Sequence, residues 1–142
     1  MMKKLLAMIL VLVMLATVFT GCNGGNELKV GVCQLMAHPS LDQATEGFKA
    51  ALTAEAEKAG KSVSIDIQVA GEADLCTTVI NTFTAKKVDL IMANATPALL
   101  AAANATTSIP VLGTSVTDYA DTFANNIPTN VSGTSDAVPF AE

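Results

Sequence analysis

KKVDLIMANATPALL, residues Lys86 to Leu100, decides the fold of this chain. The two lysines suit the end of a helix, where unsatisfied carbonyls and the negative dipole end favour cations. Val88 to Ala93 (VDLIMA) is a run of strand length, apolar but for Asp89, which reads as a buried strand. Thr96-Pro97 then opens another helix, with threonine as N-cap and proline in the first turn, where its missing N–H does no harm. Leu99, Leu100 and Ala103 continue that helix. A helix end, a strand and a helix start in so short a segment form the unit of an α/β sheet.

The same alternation extends in both directions. Upstream, Leu28 to Leu35 is a short apolar, β-branched strand. Pro39 keeps His38 out of helical geometry, and Ser40 with Gln43 three residues on has the pattern of a capping box. Leu41, Ala44, Phe48, Ala51, Leu52, Ala56 and Ala59 recur at helical spacing, and Gly60 ends that helix. Val63 to Val69 alternates strictly and reads as a strand at a sheet edge. A second helix turns Ala73, Cys76, Val79, Ile80 and Phe83 inward. Downstream, Pro110 to Gly113 is a fourth strand and Val131 to Gly133 begins a fifth. Short links throughout predict an α/β fold, a parallel sheet of four to five strands with helices on both faces.

The N-terminus has a different character. Lys3-Lys4, the uncharged run Leu5 to Phe19, and the small residues before Cys22 make a secretory signal peptide over residues 1–21. The apolar run is too short to favour a spanning helix. Phe19-Thr20-Gly21-Cys22 resembles the bacterial lipobox, although Phe19 is bulkier than the residue that motif usually carries there. The expectation is a lipidated Cys22 with a Gly-rich, flexible tether over residues 22–27. The protein is then extracytoplasmic and anchored to the bacterial cell membrane. Residues 28–142 form the folded lobe.

Composition narrows the function. The 142 residues less the 21 of the signal leave 121, enough for one core. Loss of Lys3 and Lys4 takes the formal charge from −5 to −7. That balance argues against nucleic acid and against a basic membrane-binding face. Arginine is absent, so an anion would be held by backbone N–H groups and hydroxyls. His38 is the sole histidine and no carboxylates cluster, which gives no metal set. No GxGxxG, Walker or GxSxG motif occurs, so no cofactor and no enzymatic activity are expected. Cys33 and Cys76 are either buried free thiols or a disulfide pair.

In a parallel sheet, ligands sit beyond the carboxyl ends of the strands. The loops there are Gln34 to Ser40, Ala70 to Glu72, Asn94 to Pro97 and Thr114 to Asp118. Helix N-termini seat anions, which makes Ser40 and Thr96 candidates for a ligand carboxylate. Either residue is equally explained as a cap alone. Asp118 pairs with a ligand ammonium or caps the segment Tyr119 to Phe123.

Four segments then carry a resemblance. VGVCQLMAHPSLDQATEGFKAAL (30–52), KKVDLIMANATPALLAAANATTSIPV (86–111), TSVTDY (114–119) and NVSGTSD (130–136) resemble ABC-transporter substrate-binding proteins related to tryptophan and tyrosine import receptors. These have a type I periplasmic-binding-protein fold, with two α/β lobes closing on a small ligand. The resemblance implies cleft contacts from Gln34, His38, Ser40, Thr96, Ser115, Thr117 and Asp118. It also implies an aromatic amino acid as ligand and ABC permease subunits as partners. Tyr119 stands where the family usually has proline. The family continues past the TSD segment, so the expectation is an N-terminal lobe truncated before its second. The alternative is a one-lobe lipoprotein docking a partner through the crevice.

Overall fold

The computed structural model describes residues 27–137. Residues 1–26, which include the expected signal peptide, Cys22 and the expected tether up to Asn26, lie outside the described residues. Strands and helices alternate: β1 (Glu27–Gln34), α1 (Pro39–Lys58), β2 (Ser62–Val69), α2 (Ala73–Ala85), β3 (Leu90–Asn94), α3 (Thr96–Ala105), β4 (Val111–Val116), the short α4 (Tyr119–Thr122) and β5 (Val131–Ser135). The five strands pair in parallel in the order β2-β1-β3-β4-β5. β2 is an edge strand, as its alternation predicts. Strand order reverses at β1, so the switch point lies between β1 and β3, where such folds open a crevice.

Alternation along the strands sorts side chains between two layers. Val30, Val32 and Met92 face α1 and pack with Phe48, Leu52, Val63, Ile65 and Ile67. Cys33, Ile91, Ala93 and Val111 face the other way, against Cys76, Ile80 and Phe83 of α2 and Leu99 of α3. This second layer is the drier one: Phe83, Ile80, Ile91 and Leu99 are fully buried. Each such side chain contributes about 1.5–3 kcal/mol of transfer free energy. On α1 only Thr45 and Ala56 are buried, and Ala51 and Ala59, expected inside, are exposed. One helix covers that face, so its flanks stay wet.

Several boundaries differ from the sequence reading. The first helix begins at Pro39, and its N-cap is His38 rather than Ser40. Extended backbone at His38 (φ −155°) leaves its Nδ1 free to accept from the Ser40 N–H at 3.3 Å. The third helix is capped by Ala95, and Thr96 occupies its first turn without a side-chain capping bond. Thr114 to Val116 belong to β4, because a register shift between Gly113 and Val116 carries the strand further. Lys86 is not held by the helix end alone. Its Nζ lies 2.7 Å from Asp66 Oδ2 on β2.

Two predictions arise here. The Lys86 hydrogen bond holds the Asp66 carboxyl below its ordinary value. Stabilisation from the pair is therefore present above the unfolded carboxylate value of about 4 and is lost as pH falls through the folded one. Both side chains are substantially exposed, so Asp66→Asn is expected to cost at most about 0.5 kcal/mol at pH 7. At pH 2 the variant and wild type should have equal denaturant midpoints. The second concerns the thiols, which are free and buried. Burial pushes Cys33 up to about 12, with the neighbouring Cys76 adding to the shift. Neither thiol should react with a maleimide in the native protein at pH 7, and both should after unfolding.

Candidate ligand-binding rim

Parallel pairing brings the carboxyl ends of all strands to one edge, and backbone bonds knit the turns there together. Leu35 N–H donates to Asn94 O (3.2 Å), Ala70 N–H to Gln34 O (2.8 Å) and Ala95 N–H to Thr114 O (2.9 Å). The turns after β1, β3 and β4 thus share one rim, with α1 and α3 starting from it.

Beneath the rim lies a chain of hydrogen bonds with one direction. Asn94 Nδ2 donates to Thr45 Oγ1 (3.0 Å) and to Leu41 O (2.8 Å). Thr45 Oγ1 donates to Gln34 Oε1 (2.6 Å), and Gln34 Nε2 donates to Asp42 Oδ1 (2.6 Å) and Met36 O (2.8 Å). Gln34, Thr45 and Asn94 are almost wholly buried. Two strand ends, the β1–α1 turn and the first turns of α1 are fixed to one another by a run that ends on a carboxylate. Asn94 Oδ1 is buried and has no partner among the described residues.

The predicted side chains divide by accessibility. Gln34 is the last residue of β1, and its amide is engaged within the fold rather than open to a ligand. His38, Ser40, Thr117 and Asp118 are exposed on the rim, and Thr96 and Ser115 are half-buried there. Asp118 is the N-cap of α4, its Oδ1 accepting from the Asp121 N–H at 3.0 Å. Ser115 holds a positive φ of 56° at the register shift, and Ala95 one of 91° with ψ 155°, a region that L residues avoid.

Sequence reasoning did not find Thr45 as a partner of Asn94 and Gln34. The available signal was a polar residue at each of three core-facing positions. Nor did it find the notch that seats Tyr119. Gly113 and Gly133 are paired across β4 and β5, and a Cβ on either would collide with the Tyr119 hydroxyl. That hydroxyl donates to Thr134 O at 3.4 Å. Burial, together with the nearby charge of Asp136, raises the Tyr119 phenol above its ordinary value. A cavity of about 440 Å³ opens below the rim on the α1 face, between Phe48, Met92, Leu112, Thr114, Ser132 and Thr134. None of the predicted ligand contacts lines it. It lies between α1, through Ala44 and Phe48, and the β4–β5 side of the sheet.

Comparison with known proteins gives this geometry a context. A tyrosine-binding protein of Clostridioides difficile is 39% identical over 155 residues, covering 94% of this chain and 45% of the relative. The ligand-free, open structure of a substrate binding protein with adhesive properties from Clostridium difficile is 40% identical. It matches with a TM-score of 0.71 over 78% of this chain and 39% of that one. An ABC domain from Streptococcus pneumonia in complex with L-Trp is 33% identical, with a TM-score of 0.68 over 78% of this chain and 39% of that one. The chain therefore spans less than half the length of these proteins, and the fold is that of one of their lobes. Residues 29–142 match the family described as ABC transporter substrate binding protein. With that match over most of its length and these relatives, the chain belongs to the ABC transporter substrate binding protein family.

Proposed function

We propose that this chain is the N-terminal lobe of an extracytoplasmic lipoprotein that binds an aromatic amino acid and delivers it to the permease of an ABC importer. The observation that carries the reading is the convergence of the α1 and α3 N-termini with the β4 turn on one rim. First-turn N–H groups and the positive dipole ends suit a carboxylate. Thr96, Ser115 and Thr117 supply hydroxyls beside them, and Asp118 supplies the negative charge an ammonium needs. His38 and Ser40 complete the α1 side. Gln34 acts at one remove, by holding Asp42 and Thr45. The tyrosine and tryptophan named for the relatives are the first ligands to test.

A rim is half of a cleft. The uncovered sheet around Leu112 and Ser132, and relatives of about twice the length, support a receptor with a second lobe that closes over the ligand. Cys22 is the proposed lipid attachment, and Cys22→Ala should move the protein from the membrane to the soluble fraction.

Equilibrium dialysis tests the ligand. A two-lobed receptor carrying this chain should bind L-tyrosine or L-tryptophan saturably and L-glutamate at least tenfold more weakly. Thr96→Ala should weaken binding roughly fivefold, the loss of one hydrogen bond of about 1 kcal/mol. Absence of binding to any amino acid would overturn the ligand class, and unchanged affinity in Thr96→Ala would remove Thr96 from the contacts.

A further inference from the structure

We propose that the edge from which the strands start is a membrane-facing surface for anionic phospholipid headgroups, holding the ligand rim away from the bilayer. This rests on the lipid-anchor reading of Cys22. Net charge conceals a segregation that the fold creates. Parallel pairing begins every strand at one edge, and the turns entering β2 and β3 lie there too. Lys29, Lys58, Lys61, Lys86 and Lys87 all fall on that edge and all are exposed. Glu27, Glu55, Glu57 and Asp89 share it, and Asp66 neutralises Lys86, so the edge is balanced in charge. Lys58 pairs with Glu55 and Lys86 with Asp66, while Lys29, Lys61 and Lys87 form no ion pair among the described residues. The opposite rim carries Asp42, Glu72, Asp74, Asp118, Asp121 and Asp136 and no lysine.

Length turns this asymmetry into an orientation. β1 has eight residues, about 26 Å at roughly 3.3 Å each, so the two edges are about three Debye lengths apart at physiological salt. An anionic surface at one edge is scarcely felt at the other. The segment Asn23 to Asn26 between Cys22 and β1 extends to about 14 Å at most, too short to carry the far rim down to the bilayer. Anchor and charge therefore agree. An anionic surface repels the acidic rim and not the charge-balanced edge, where three lysines outside any ion pair among the described residues can meet headgroups.

The test tethers the chain from residue 22 through Cys22 to a maleimide lipid, which makes it independent of cellular lipidation. Cys33 and Cys76 are buried and do not compete. Vesicles of phosphatidylcholine alone are compared with vesicles containing phosphatidylglycerol, and lysine acetylation is followed residue by residue by mass spectrometry. On phosphatidylglycerol Lys61 and Lys87 should acetylate at least threefold more slowly, with Lys49 unchanged and the protection abolished in 0.5 M salt. Equal rates at Lys61 and Lys87 on both vesicles, or protection of Lys49 alone, would overturn the proposal. Failure of Cys22→Ala to release the cellular protein would instead count against the anchor reading and leave this result standing.

Discussion

Gly31→Ala is expected to destabilise the lobe by about 3 kcal/mol and to lower its thermal midpoint by more than about 10 °C. Gly31 lies in the central strand β1 with the Phe83 ring of α2 directly over its Cα. A Cβ there would come within 2.5, 2.6 and 2.8 Å of three ring carbons. Carbon atoms at rest sit about 3.5–4.0 Å apart, so the ring or the helix must move. Phe83 is fully buried in the drier layer and has nowhere to swing. Two controls isolate the cause. Gly47→Ala meets nothing within 4 Å on α1 and should stabilise by about 0.5–1 kcal/mol through helix propensity. Phe83→Leu in the Gly31→Ala background should recover part of the loss, which a purely conformational effect at residue 31 would not allow.

Thr45→Val should cost about 2–3 kcal/mol although it preserves shape and burial. The hydroxyl is the middle member of the chain from Asn94 to Asp42, accepting from one amide and donating to the other. Valine leaves Gln34 Oε1 and an Asn94 N–H unpaired in a site closed to water, and each such group costs about 1–3 kcal/mol. Thr45→Ser should retain most of the stability, since the loss is of hydrogen bonds and not of a methyl group. Urea melts of the wild type and the two variants decide the matter. Equal stability of Thr45→Val and the wild type would mean the amides find other partners.

Much of the fold was legible because each signal was local. The alternation of Val63 to Val69 named an edge strand, and the apolar runs in β1 and β3 named buried ones. Helix starts were less legible. Proline at 39 and at 97 announced both helices, but the hydroxyl residues beside them suggested Ser40 and Thr96 as caps. His38 and Ala95 fill those positions. A histidine side chain can accept from an N–H two residues on, and Ala95 is held in a strained conformation by its bond to Thr114. Neither fact is visible in residue type. Gln34 read as a loop contact because it ends an apolar run, whereas register with Asn94 turns it inward. Net charge argued against a basic face, and only the strand order shows that lysines gather with an equal number of carboxylates at one edge while the opposite rim carries carboxylates alone.

The most direct test of the central claim is an amide chemical-shift titration of this chain with L-tyrosine, which reads contacts even at millimolar affinity. Shifts should gather at residues 38–41, 95–98 and 115–118, with the amides of Lys61, Lys87 and Ser108 at the opposite edge unmoved. Perturbations centred on the cavity beside Leu112, scattered over both edges, or absent at saturating tyrosine would contradict the account.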